Sequence, residues 1–404
     1  MSLLSTEADL NQFTLAAGFQ SAATACGLKK SSALDLLMVW SERPLTAAGV
    51  FTTNRVQSAP VLLDRESLGA AAGRMRGVIA NAGCANAVTG ERGLDDARRM
   101  QRLGAQAIGA NPDEMLVLST GVIGVFLDMD KLAHGVKVLG SDLAKRAAGD
   151  AARAIITTDT RAKVASATLA GGARVSGFAK GAGMIHPNMA TMLSVITTDA
   201  AVAPERLDSA LRAAVARSFN RISVDGDMST NDTVLVLASG ASGVQVDDAN
   251  EAAFTAALTQ VCESLARQIA RDGEGATRLV ELRITGGGTQ AQAHRVDDSI
   301  ACSPLVKTAI HGNDPNWGRV LAAAGYSGEA VDPARVRLWF GEGDALQLLE
   351  RGLPLPFDKP AASKLLQQDP AVIHLDLGLG EASAIVWTCD FSAEYVRINA
   401  DYTT

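Results

Sequence analysis

The stretch Lys180-Gly181-Ala182-Gly183-Met184-Ile185-His186-Pro187-Asn188-Met189-Ala190-Thr191-Met192-Leu193-Ser194 is the one the rest of the chain is organised around. Gly181 and Gly183 open backbone angles closed to other residues. Pro187 fixes its own φ and pushes His186 towards an extended conformation. The chain therefore bends at a defined point, and the Thr191 hydroxyl is delivered from the start of the apolar run Met192 to Ile196. On its residues alone, this is a turn before a strand. A second candidate lies where Met115-Leu116-Val117-Leu118 runs into Ser119-Thr120-Gly121. A hydroxyl beside a glycine amide at a strand end can donate two hydrogen bonds to one oxygen, as an oxyanion hole requires. The same residues also make an ordinary strand-to-loop turn. A third is Glu274, after Asp272-Gly273 and before the apolar run Leu279 to Thr285. A carboxylate held there can bind a substrate ammonium, or simply face solvent.

The elements that must position these groups follow from periodicity. Leu34 to Trp40 and Val78 to Ala82 read as strands, and residues 91–110 as an amphipathic helix. Asp142 to Ile156 is helix-like and alanine-rich. Pro204 suits the first turn of a helix whose apolar face repeats at Leu207, Leu211 and Val215. Phe254, Leu258, Val261, Leu265 and Ile269 mark a longer one, stopped by Asp272-Gly273. Ser303-Pro304 supplies an N-cap and a first-turn proline. Asp225-Gly226-Asp227 resembles a metal loop only in its spacing. The later glutamate of a calcium loop is missing, so a rigid hydrogen-bonded turn is expected and no metal site is assigned.

The balance of 47% apolar and 20% charged residues is that of a globular protein, and 404 residues divide into two or three domains. The net charge of −7 and the lack of a basic stripe with interleaved aromatics argue against nucleic acid. Five scattered cysteines without C-x-x-C spacing fit reduced thiols of a cytoplasmic protein rather than a disulfide frame or zinc site. No signal peptide and no membrane-spanning segment is expected.

The Lys180–Ser194 segment resembles the self-cleavage segment of the ornithine acetyltransferases, the glutamate N-acetyltransferases of arginine biosynthesis. The resemblance runs from Gly18 to Thr404 and includes Asp225–Thr233, Asp314–Arg319 and Tyr395–Thr404. It departs from the family at Cys84, Arg161-Ala162-Lys163, Met228 and Thr403. The resemblance implies that the chain cuts itself at Ala190–Thr191 and that Thr191 then acts as nucleophile. The physical case is short. A threonine hydroxyl needs an adjacent base, and a freed α-amine titrating near about 8 supplies one on the same residue. The resemblance further implies an oxyanion hole at Thr120 and Gly121, with substrate contacts at Thr157, Lys180, Thr191, Glu274, Asn399 and Thr404. His186 is left a structural role, because the threonine amine takes that of base.

The implied fold is α/β, a layered α-β-β-α sandwich with a smaller C-terminal α/β domain. Residues 1–190 form an α fragment, 191–285 the first part of a β fragment completing the sandwich, and 286–404 the domain whose tail returns to the site. Asp314–Arg319 is expected to close around that site. The implied activity moves acetyl from N2-acetyl-L-ornithine to L-glutamate, without a cofactor and with acetyl-CoA as an optional co-substrate. The partners are small molecules, and the fragments pair as a dimer of heterodimers. Two other readings stay open: an amidohydrolase or aminopeptidase with the same nucleophile, and an uncut amino-acid-binding relative.

Overall fold

A computed structural model of the chain describes residues 4–70, 74–141, 147–186 and 192–401. The first part runs α1 (Glu7–Gln12), β1 (Gln20–Thr24), β2 (Leu36–Phe51), α2 (Ala59–Ala70), β3 (Arg74–Cys84), α3 (Gly90–Ala107) and β4 (Met115–Val122). It continues through α4 (Met129–Ser141), α5 (Ala148–Ile155), β5 (Lys163–Thr168), β6 (Arg174–Lys180), β7 (Leu193–Thr198), α6 (Pro204–Arg217), β8 (Thr233–Ala238) and α7 (Glu251–Arg271). The strands of this part make one sheet in the order β4-β3-β2-β8-β7-β6-β5, with β1 on β2.

That sheet is two layers, and β2 is the reason. Its first half, Leu36 to Trp40, pairs with β3; its second half, Thr46 to Phe51, pairs with β8. The β3 register shifts between Trp40 and Leu45, a bulge that bends the strand. Alternation of side chains along each strand then sorts residues into three cores. Leu37, Val39, Val78 and Leu116 meet Phe178, Val195 and Leu235 between the two layers. Leu36, Met38, Ile79 and Val117 face the other way, against Ala97 and Met100 of α3 and Leu132 of α4. Val175, Ile196 and Val236 pack against Leu207 and Leu211 of α6 and Leu258 and Leu265 of α7. The result is the α-β-β-α sandwich.

The second part runs β9 (Leu279–Gly287), α8 (Gln290–Ala301), α9 (Pro304–His311), α10 (Trp317–Gly325), β10 (Arg337–Phe340), β11 (Leu346–Glu350) and β12 (Leu353–Pro354), then α11 (Lys359–Leu366), β13 (Ala371–Asp376), β14 (Ala382–Cys389) and α12 (Ala393–Asp401). Its sheet order is β12-β11-β10-β13-β9-β14. Strand β9, expected to complete the first sandwich, lies between β13 and β14 instead. The sequence boundary at 285/286 therefore moves back to the link between α7 and β9. An apolar run such as Leu279–Ile284 says that it is buried, not in which sheet.

The helix expected over Asp142–Ile156 is helical from Ala148 to Ile155, with 142–146 outside the described residues. Pro204 opens α6. The Ser303 side chain accepts from the Val306 amide at the start of α9. No helix among the described residues is long and apolar enough to cross a membrane.

Candidate active site

Strands β6 and β7 form an antiparallel hairpin, with Lys180 opposite Leu193. The chain between them runs from Gly181 to Met192, with 181–186 and Met192 among the described residues. Its two ends are pinned by one turn, Ser223–Thr233. The Asp225 carboxylate accepts from the Met184 and Ile185 amides at 2.6 and 2.9 Å. Asp232 Oδ1 accepts from the Met192 amide at 2.9 Å. Asn231 extends the same turn sideways: its Nδ2 donates to the Ala85 and Ser119 carbonyls at 2.7 and 2.8 Å. One rigid turn thus fixes the hairpin loop relative to the end of β4. Asp232 is fully buried, which pushes its carboxyl well above the usual carboxylate range against the Met192 amide and Lys180, both of which favour the ionised form.

The end of β4 presents Thr120 and Gly121. Gly121 has φ +132°, and a Cβ there would sit 2.3 Å from the Gly83 carbonyl carbon of β3. Only glycine fits that crossing. Lys180, 3% exposed, donates from Nζ to Thr120 Oγ1 at 3.3 Å. Burial lowers the pKa of this ammonium, while Asp159, Asp232 and Glu274 hold protons on it.

Asp159 is the second organiser. Its Oδ1 accepts from the Gly181 amide at 2.6 Å and from Lys163 Nζ at 2.7 Å; its Oδ2 accepts from the Thr157 amide at 3.0 Å. Lys163 also reaches Asp272 Oδ2 at 2.7 Å. Burial opposes ionisation of Asp159, but Lys163 and Lys180 outweigh it and hold the carboxyl well below its ordinary value. The Thr157 turn, the start of the hairpin loop and the end of α7 are joined through this one buried group.

Glu274 follows α7. Its amide donates to the Ala182 carbonyl at 2.8 Å, and its Oε2 accepts from Asn399 Nδ2 at 2.8 Å. Helix α12 thus folds back on the cleft, anchored also by Tyr395 Oη donating to Asp225 at 3.3 Å. Thr120, Gly121, Thr157, Lys180, Glu274 and Asn399, singled out from the sequence, all line one cleft. Ala190, Thr191 and Thr404 lie outside the described residues.

One expectation is corrected. The His311–Arg319 loop does not close over this cleft: none of the described lining residues comes from it. Asn313 meets Arg278 and Ser363, and His311 meets Asp390, so the loop braces the second part internally. The tail is helical as far as Asp401. Cys84 is a buried thiol whose pKa burial raises, and it donates to the Val125 carbonyl at 3.4 Å. Burial thus disfavours its thiolate, the form a nucleophile needs. Sequence reasoning missed Asp159 and Tyr395. Asp159 stands in the run Thr157-Thr158-Asp159-Thr160, whose residue types give no sign of burial, and nothing local distinguishes Tyr395.

The approach of Glu274 to the loop yields a test. A Cβ on Gly183 would lie 2.4 to 2.6 Å from the Glu274 carboxyl atoms. Gly183→Ala is expected to displace that carboxylate and raise KM about 10-fold or more for any substrate that Glu274 holds, with the fold retained. Steady-state kinetics and circular dichroism check this; an unchanged KM would show that Glu274 is free to move.

The ArgJ family model matches residues 20–404. The chain belongs to the ArgJ family. It is 48% identical over 399 residues to the arginine biosynthesis bifunctional protein ArgJ of Symbiobacterium thermophilum, covering 97% of this chain and 98% of that one. The ArgJ of Thermus thermophilus is 46% identical over 387 residues, covering 96% and 98%. The crystal structure of the Bacillus halodurans ArgJ superposes with a TM-score of 0.51 at 43% identity, covering 52% of this chain and 100% of that chain.

Proposed function

We propose that this chain is a self-cleaving acyltransferase of arginine biosynthesis that moves acetyl from N2-acetyl-L-ornithine to L-glutamate through an acetyl-Thr191 intermediate. The observation that carries the reading is the pairing of charges in the cleft. A buried ammonium, Lys180, and a carboxylate, Glu274, face one space lined by the Thr120 and Thr157 hydroxyls. Such a site complements a zwitterionic amino acid, and Gly183 and Met184, on the segment that leads to Thr191 in sequence, line it.

Cleavage before Thr191 frees an α-amine. That amine takes the proton of its own hydroxyl, and Oγ1 attacks the acetyl carbonyl of acetylornithine. The oxyanion is held by the Thr120 hydroxyl and the Gly121 N–H, donors placed before charge develops. Lys180, against Thr120 Oγ1, orients that hydroxyl and adds positive charge. The C–N bond breaks, the amine returns the proton to the leaving nitrogen, and ornithine departs. The glutamate amine then attacks the ester carbonyl, one of its protons passes by way of the Thr191 amine to Oγ1 as the acyl C–O bond breaks, and N-acetylglutamate leaves with the threonine regenerated. Glu274, steadied by Asn399, holds the substrate ammonium, with Thr157 and Thr404 completing the contacts. Acetyl-CoA is an alternative donor in this scheme.

The cut does not release the halves. Strands β6 and β7 lie on either side of the bond and remain paired from Val175–Thr198 to Lys180–Leu193, with β8 beyond. Residues 1–190 and 191–404 therefore stay interlocked as α and β fragments, and two such pairs associate. The complete match of a solved ArgJ chain to 52% of this one suits a product of about that length. A cytoplasmic setting suits the free cysteines among the described residues.

The test is acetyl transfer followed by mass. Incubation with N-acetylornithine alone should add one acetyl group to the 191–404 fragment and release one equivalent of ornithine. Added glutamate should discharge it as N-acetylglutamate. Acetate release without need of glutamate would instead identify a hydrolase.

A further inference from the structure

His186, Asp298 and Cys302 are distant in sequence and play no part in the scheme above. They converge beside the hairpin loop. Cys302 Sγ lies 3.5 Å from His186 Nδ1 and 3.8 Å from Asp298 Oδ1, and His186 Nδ1 lies 3.9 Å from Asp298 Oδ1. These are the edges of a triangle of one nitrogen, one sulfur and one oxygen. Tetrahedral zinc, with bonds of about 2.0–2.3 Å to such atoms, needs edges of about 3.3 Å between nitrogen and oxygen and about 3.5 Å to sulfur. The three groups are thus within about half an ångström of a zinc-binding face, before any side chain changes its neighbours.

The local sequence explains the convergence. Asp298 and Cys302 are four apart at the end of α8, so they share one face of it, and the Cys302 amide still donates to the Asp298 carbonyl. His186 is brought across by its own backbone: the Ile185 carbonyl accepts from the Val224 amide and from the Ser223 hydroxyl, and that hydroxyl also touches Cys302 Sγ at 3.4 Å. His186 and Asp298 keep 24% and 32% of their side-chain surface exposed, so an ion can enter from solvent and a water can complete the coordination.

We propose that His186, Asp298 and Cys302 form a three-ligand site for a borderline divalent transition ion, Zn²⁺ in the first instance, that ties the loop before Thr191 to helix α8. Imidazole, thiolate and carboxylate together suit zinc and cobalt, whereas magnesium and calcium take oxygen ligands. On binding, Cys302 gives its thiol proton to solvent and coordinates as thiolate; no redox change is involved. One ligand comes from the part of the chain before the cut and two from the part after it. Zinc therefore adds a cross-link between fragments that the peptide bond no longer joins.

The experiment uses full-length protein freed of metal by a chelator. Zn²⁺ is titrated against a chromophoric chelator, and Co²⁺ is used as the spectroscopic probe. One equivalent per chain is expected, with a thiolate-to-cobalt charge-transfer band and a Tm that rises with added Zn²⁺. Cys302→Ser, checked for folding by circular dichroism, should weaken binding by about 100-fold or more and abolish the band; Asp298→Asn should weaken it as well. Mg²⁺ and Ca²⁺ should not compete. Absence of binding, or wild-type affinity in Cys302→Ser through any of the other cysteines, overturns the proposal. Neither result bears on acetyl transfer, which is read separately.

Discussion

Thr191→Ala is expected to leave one full-length chain and to abolish acetyl transfer, by about 10⁴-fold or more. In the proposed mechanism the substitution removes the hydroxyl that breaks the Ala190–Thr191 bond. Without the break there is no α-amine, so nucleophile and base vanish together. No neighbour takes over. Thr120 Oγ1 is engaged by the Lys180 ammonium. The Cys84 thiol is buried, with its pKa raised. His186 sits with Asp298 and Cys302 rather than in the cleft. Alanine adds no atom, and the Met192 amide remains held by Asp232, so the fold should persist. Thr191→Ser, which keeps a hydroxyl, should still cut. Intact mass and an N-acetylornithine assay decide the matter. Wild-type protein active at full rate as a single uncut chain would sink the mechanism.

Lys163→Met is expected to cost about 3–5 kcal/mol of stability. Lys163 is fully buried between Asp159 and Asp272, at 2.7 Å from each. Methionine matches its shape but leaves two carboxylates in the interior, with Lys180 and the more distant Lys29 as cations near Asp159. Removing one partner of a buried ionic group is far worse than never having built it, because the charges left behind stay desolvated. The effect has a pH signature. The Asp159 pKa is depressed in the folded protein, so its stabilisation is present above the unfolded value of about 3.9 and lost as pH falls. Lys163 is shifted the other way: burial opposes its charge, but Asp159 and Asp272 prevail and raise its pKa. Its contribution is present below about 10.4 and lost as pH rises through the folded value. The gap between wild type and variant should be widest between about pH 4 and 10 and shrink below pH 4. Urea unfolding at pH 7 and pH 3 measures both. A loss under about 1 kcal/mol at pH 7, or one unchanged at pH 3, would mean the cluster is solvated.

Much of this architecture is written in local pattern. The 3.6-residue period of Leu207, Leu211 and Val215 gave α6, and Ser303-Pro304 gave the start of α9. Thr120, Gly121 and Lys180 each sit near a strand end, which local pattern marks, but their roles came from the resemblance to a known family. The Asp225–Thr233 turn was legible as rigid. What it holds was not, since its partners Met184, Ile185 and Met192 are about 40 residues away.

The sequence by itself determined where the chain bends, which faces are apolar, and which hydroxyl, ammonium and carboxylate stand at the ends of elements. These depend on residues within one or two turns of each other. Only the tertiary structure decided that the bulge in β2 folds one sheet into two layers, that β9 belongs to the second sheet, and that α12 brings Asn399 onto Glu274. It alone decided that Asp159 joins three segments and that His186, Asp298 and Cys302 meet. Such pairings form across gaps of tens to hundreds of residues. They are selected by the burial of whole faces and by the need of each interior charge for a partner, and no short stretch of sequence carries that information.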